Sequence, residues 1–214
     1  MEHRQEIHLN GLIERYPALE ICKEDIRKAY GLLELAYSNN RKLLVCGNGG
    51  SASDSEHIVG ELMKEFKLKR KVFHEQASAL KEIDFEMGTV LAENLQGALP
   101  AISLTGHSSL TTAFINDAMP ELAFAQQVNG YGKPGDVYLG ISTSGNSKNV
   151  LYAAITAKSN GLKVIGLTGE RESRLMELAD VCIRVPETET YKIQELHLPV
   201  YHCLCLMLEE RFFG

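Results

Sequence analysis

The residues best suited to chemistry begin in Cys46-Gly47-Asn48-Gly49-Gly50-Ser51, a glycine turn that follows the short apolar run Leu43 to Cys46. The pattern predicts a buried strand, a loop and a helix starting near Ser53. Backbone N–H groups in such a loop have no intrahelical partners, and the helix dipole is positive at that end. A phosphate or similar anion would satisfy both. His57 and Glu61 follow, four residues apart and so on one helix face, about one turn beyond the loop.

Two other readings of this stretch stay open. Gly47, Gly49 and Ala52 match the G-x-G-x-x-A form of the dinucleotide fingerprint, which needs an acid about 20 residues on to hold the ribose. The region at that distance, Glu65 to Lys71, reads as a basic helix end rather than a second strand, which counts against NAD. The turn could also be purely structural, with a solvated His/Glu pair on its helix.

A second strand-to-helix turn, Ser142-Thr143-Ser144-Gly145-Asn146-Ser147, is rich in hydroxyls. Hydroxyls with loop N–H groups suit a phosphate without any lysine, although a lone segment of this kind can simply cap a helix. Near the carboxyl end, Gln194, Glu195, His197 and His202 interrupt an apolar helical segment. Gln194 and His202 are eight apart, about two turns, so their side chains leave roughly the same side. Pro199 between them cannot donate to the carbonyl of Glu195 and predicts a kink or break.

Helices are predicted over 2–19 and 22–39, with Tyr16-Pro17 as the break. Strands are predicted at 43–46, 99–105, 135–141, 163–168 and 181–185. The intervening helices are one or two within 77–96, a stretch containing Asn116-Asp117, then 149–160 and 173–179, and last a long helix over 191–212. This is an α/β chain, a parallel sheet of about five strands covered by helices on both faces, with two leading helices and a long C-terminal helix. No linker or repeat appears, so 1–214 is read as one domain. Residues 1–40 either cover the sheet or form an oligomer contact.

The composition is ordinary for a globular chain, 44% hydrophobic and 23% charged. A net charge of −6 argues against a broad nucleic-acid footprint. The basic run Lys67 to Lys71 reads as a solvated helix end. Cys22, Cys46, Cys182, Cys203 and Cys205 form an odd set without a C-x-x-C pair, as expected of reduced core thiols in the cytoplasm. No apolar run approaches the ~20 residues of a membrane span, and the polar start is not a signal sequence.

Cys46 to Glu61, Asn116-Asp117, Gly135 to Val150 and Gln194 to His202 together resemble the phosphoheptose isomerases, which act on sedoheptulose 7-phosphate and have the SIS sugar-isomerase fold. The resemblance covers most of the chain and implies a SIS-type, flavodoxin-like sheet. It implies that Asn48, Gly49, Gly50, Ser51, Glu61, Asn116, Asp117, Ser142, Thr143, Ser144, Ser147 and Gln194 bind the sugar phosphate. It also implies that His57, Glu61, Gln194 and His202 bind zinc, that Glu61 and His202 act in catalysis, and that the enzyme is a homotetramer with sites between subunits. Moving a carbonyl between C2 and C1 requires loss of a proton beside it and its return to the neighbouring carbon, which a carboxylate and an imidazole can do.

The chain departs from the family pattern in two places. Residues 69–98 exceed the usual connection and read as a helical insertion at the pocket rim, and Pro199 could turn His202 away from Gln194. Related SIS proteins also serve as non-catalytic modules that bind a sugar phosphate or a protein such as a replication initiator. Retention of all four candidate ligands favours the enzyme.

Overall fold

The computed structural model describes residues 3–214. Its centre is a five-stranded parallel sheet in the order β2-β1-β3-β4-β5, made of β1 (Leu43–Cys46), β2 (Ala101–Ser103), β3 (Val137–Ile141), β4 (Lys163–Thr168) and β5 (Val181–Arg184). Alternate residues of each strand point to opposite faces, so two cores form. Leu43, Val45, Leu139, Ile165 and Leu167 face one core, while Leu44, Cys46, Tyr138 and Val164 face the other.

The first core is closed by α1 (His3–Arg15), α2 (Lys23–Ser38), α3 (Gly50–Met63) and α10 (Thr190–Phe213). Leu9, Leu12, Ile26 and Leu204 are buried there, each contributing on the order of 2 kcal/mol by leaving water. The second core is closed by α7 (Ala123–Tyr131), α8 (Lys148–Ser159) and α9 (Arg174–Leu178). The carboxylate of Asp136 sets the register of β1 against β3. It accepts from the backbone N–H groups of Lys42 and Lys133 at 3.0 and 2.8 Å and from Lys42 Nζ at 2.6 Å.

Between the sheet's β1 and β2 lie α4 (His74–Ile83) and α5 (Phe85–Asn94), two helices from the stretch expected to hold one or two. They pack mainly on each other and leave Ile83, Phe85 and Met87 exposed. After β2 comes α6 (Ser108–Asp117).

Several expectations are corrected. The first leading segment ends at Arg15 and continues as a 3-10 turn, Pro17–Cys22. Asn116-Asp117 do lie in a helix, the last residues of α6, and Pro120 opens a separate turn before α7. Helix α10 runs on through Pro199 without a break. Pro199, Val200 and Tyr201 are all buried, and that packing outweighs one missing hydrogen bond.

The basic run is not a solvated helix end either. Helix α3 stops at Met63, and Arg70 is buried, donating to the carbonyls of Leu62 and Glu61 at 2.8 and 2.9 Å and to Glu209 at 2.8 Å. Among the described residues no helix is long and apolar enough to cross a membrane.

Candidate functional site

In an open parallel sheet, ligands collect beyond the carboxyl ends of strands where the chain order reverses. In this sheet that point lies between β1 and β3, with Cys46 paired to Gly140. The two turns singled out in the sequence are the ones that leave those strand ends.

The first turn is tighter than expected. Gly49 has a φ of 55°, and a Cβ on Gly47 would lie 2.6 Å from Ser51 Cβ. This freedom lets α3 start at Gly50, three residues before the anticipated Ser53, with no side chain capping its first N–H groups. Ser51 is thereby buried at the helix start.

In the second turn Gly145 takes a φ of 64°, and the Oγ atoms of Ser142 and Ser147 are 3.0 Å apart. The turns are joined directly. Asn48 Nδ2 donates to Asn149 Oδ1 at 2.9 Å, and Asn149 Nδ2 donates back to Asn48 Oδ1 at 2.8 Å.

Beside the second turn is a cleft of about 250 Å³ lined by Thr143, Ser144, Asn146, Arg171 and Thr190, among others. Arg171, which sequence reading did not single out, supplies a cation among three carboxylates, Glu170, Glu172 and Glu187. The lining does not extend to Asn48, Gly49, Gly50 or Ser51, nor to Asn116 and Asp117. That last pair ends α6, where Asn116 Nδ2 donates to Asp117 Oδ1 at 2.8 Å in an exposed position.

A second polar cluster lies where α3 packs against α10. His57 Nε2 is 3.1 Å from Glu61 Oε1, and the rings of His57 and His202 are 5.0 Å apart, edge to face. Gln194 stands at the start of α3 instead, its Nε2 2.7 Å from where a Cβ on Gly50 would be. The structure thus gathers His57, Glu61 and His202 and sets Gln194 beside the glycine turn.

Two residues of the cluster escaped the sequence reading. Tyr201 reaches His57 Nδ1 at 3.0 Å and donates to Asp54 Oδ1 at 3.2 Å. The spacing of Asp54 and His57, three apart on a helix, was the available sign of one, and Tyr201 lay hidden beside His202.

Burial, together with the neighbouring His57, holds the His202 imidazole below its ordinary pKa. Burial pushes Asp54 above the usual carboxylate value, opposed by the Tyr201 hydrogen bond. Deeper in α10, burial takes His197 down to about 4, so its ring is neutral.

The donor chemistry of this cluster fits an ion such as zinc, which accepts imidazole nitrogen and carboxylate oxygen. Two atoms support that. Glu61 Oε2 and His202 Nε2 are buried without a hydrogen-bond partner, the former with only the Lys64 ammonium at 3.8 Å. The grouping is looser than a finished coordination shell, and among the described residues no three His, Cys, Asp or Glu side chains form a ready ligand set.

The fold and the twin turns at the sheet's reversal define a class, and residues 101–207 match the family model of the SIS domain. A phosphoheptose isomerase of Geotalea daltonii is 41% identical over 213 residues, covering 100% of this chain and 97% of the relative. Among solved structures, a phosphoheptose isomerase of Neisseria gonorrhoeae superposes with a TM-score of 0.73 at 31% identity, covering 97% of both chains. That of Francisella tularensis gives 0.73 at 29% identity, covering 98% of this chain and 100% of its own. The chain belongs to the phosphoheptose isomerase family.

Proposed function

We propose that the protein interconverts sedoheptulose 7-phosphate and D-glycero-D-manno-heptose 7-phosphate through an enediol. The observation that carries this reading is the pairing of two anion-suited turns, tied by Asn48 and Asn149, with an unpartnered carboxylate oxygen and imidazole nitrogen farther along α3 and α10.

In this reading Ser142, Thr143, Ser144 and Ser147 bind the phosphate, aided by the amino end of α8. Asn48, Gly49, Gly50 and Ser51 hold the sugar through backbone and hydroxyl groups, and Gln194 contacts it beside Gly50. Asn116 and Asp117 complete the substrate contacts. Their exposed position at the end of α6 suits a site finished by another subunit of a homotetramer.

Glu61 takes the proton from C1 of the ketose and returns it to C2. His202 passes a proton to O2 as the enediol forms and takes one from O1 as it collapses. Zinc held by His57, Glu61 and His202 would polarise the substrate oxygens, with Gln194 left to the sugar beside Gly50. Five free thiols, four of them buried, suit a reducing compartment, the cytoplasm.

The test is to incubate purified, zinc-loaded protein with sedoheptulose 7-phosphate and follow the anomeric proton of the aldose phosphate by NMR. In deuterated water the aldose should carry deuterium at C2, by partial or complete exchange. Absence of any aldose, with folded protein and bound zinc, would leave a binding module as the better reading.

A further inference from the structure

The contact that the proposed chemistry leaves unused is the one behind His57. Tyr201, on α10, is 1% exposed and sends its hydroxyl across to α3, where it stands 3.2 Å from Asp54 Oδ1 and 3.0 Å from His57 Nδ1. A phenol has one hydrogen to give. A carboxylate only accepts, so the O–H goes to Asp54, and the phenol oxygen is left to accept from His57. That places the ring hydrogen of neutral His57 on Nδ1 and the lone pair on Nε2.

The consequence appears on the other side of the ring. Nε2 faces Glu61 Oε1 at 3.1 Å. Two lone pairs at that distance repel unless a cation, a proton or a metal ion, stands with them. His57 meets Tyr201 edge to face at 5.6 Å and 76°, and His202 meets Tyr201 at 5.0 Å and 89°. Ligating histidines are commonly held by such an acceptor on the far nitrogen, which fixes the tautomer and raises the basicity of the nitrogen that binds.

We propose that Tyr201, backed by Asp54, is a positioning residue that commits His57 to present Nε2 to a metal ion shared with Glu61. This rests on the reading of His57 and Glu61 as zinc ligands. Tyr201 touches neither the sugar nor the ion in this account and acts only through the histidine.

Replacing Tyr201 by Phe removes the oxygen and keeps the ring, so both edge-to-face contacts survive. Zinc affinity is measured by competition with a chromophoric chelator for wild type, Tyr201→Phe and His57→Ala, and thermal unfolding of the zinc-free forms checks the fold. Tyr201→Phe should bind zinc about 10-fold or more weakly, with zinc-free unfolding close to that of wild type. In nitrogen-15 labelled, zinc-loaded protein, the His57 Nδ1–H signal should be visible in wild type and lost to solvent exchange in Tyr201→Phe.

A merely structural tie between the helices would lower the unfolding temperature and leave zinc affinity within about two-fold, and that result overturns the proposal. If wild type binds zinc but His57→Ala binds equally well, His57 is no ligand, and the metal reading falls together with this inference. If His57→Ala loses zinc and Tyr201→Phe does not, the metal reading stands and the inference alone fails.

Discussion

Asn48 and Asn149 exchange two side-chain hydrogen bonds, at 2.9 and 2.8 Å, across 101 positions of sequence. One lies in the turn after β1 and the other in the first turn of α8, so the pair sets the spacing of the two anion-suited turns. The bonds are exposed, and their worth to folding is small, about 1 kcal/mol or less. Their value lies in geometry that the substrate would otherwise have to impose when it binds.

Asn149→Ala should therefore raise KM more than it lowers kcat, with KM rising about 10-fold and the unfolding temperature falling only a few degrees. Steady-state kinetics beside a thermal melt would check it. A variant whose KM stays at the wild-type value would show that the turns are spaced by their strands alone.

Glu61 tests the chemistry itself. Glu61→Gln keeps the size of the side chain and removes the base, so kcat should fall about 1000-fold or more, about 4 kcal/mol of barrier. Circular dichroism and unfolding should match wild type, because the backbone carbonyl bound by Arg70 is untouched. Retained turnover would remove Glu61 as the base.

Local signals were legible in the sequence and distant ones were not. Strand β4 was read to the residue, since Lys163 to Thr168 is an apolar run set between Gly161 and Gly169. Both turns were legible because glycine and serine at strand ends have few other uses. The start of α3 was misplaced because a Ser/Asp cluster is an ordinary cap, whereas the positive φ of Gly49 is visible only in coordinates. Arg70 looked like one cation among several, because its partner Glu209 lies 139 residues away. Tyr201 meets Asp54 and His57 across 147 and 144 residues. No periodicity carries such pairings, which exist only once α3 and α10 lie side by side.

Arg70 supports a stability prediction. Its guanidinium and the Glu209 carboxylate are 0% and 1% exposed, 2.8 Å apart, and the carboxylate also accepts from the backbone of Phe66 and Lys67 at 2.9 Å each. Arg70→Met leaves that carboxylate buried without its cation and frees the last carbonyls of α3. The expected cost is about 3–5 kcal/mol, seen as a fall of roughly 10 °C in the unfolding temperature. Activity should fall too, since Glu61 is one of the two residues whose carbonyls Arg70 holds.

His197 predicts how stability depends on pH. The ring is fully buried, neither nitrogen reaches a partner at hydrogen-bond distance, and burial takes its pKa from 6.5 down to about 4. At pH 7 the ring is largely neutral in both folded and unfolded chains, so it contributes little to pH dependence. As pH falls below 6.5 the unfolded chain takes up a proton that the folded chain refuses until about pH 4, so the unfolded state gains. Between pH 7 and pH 5 this one group should remove about 2 kcal/mol of stability. His197→Leu should be less sensitive over that range by the same amount, measured by urea unfolding at the two pH values. Equal losses in wild type and variant would mean that the folded chain admits a proton, or a water, to the ring.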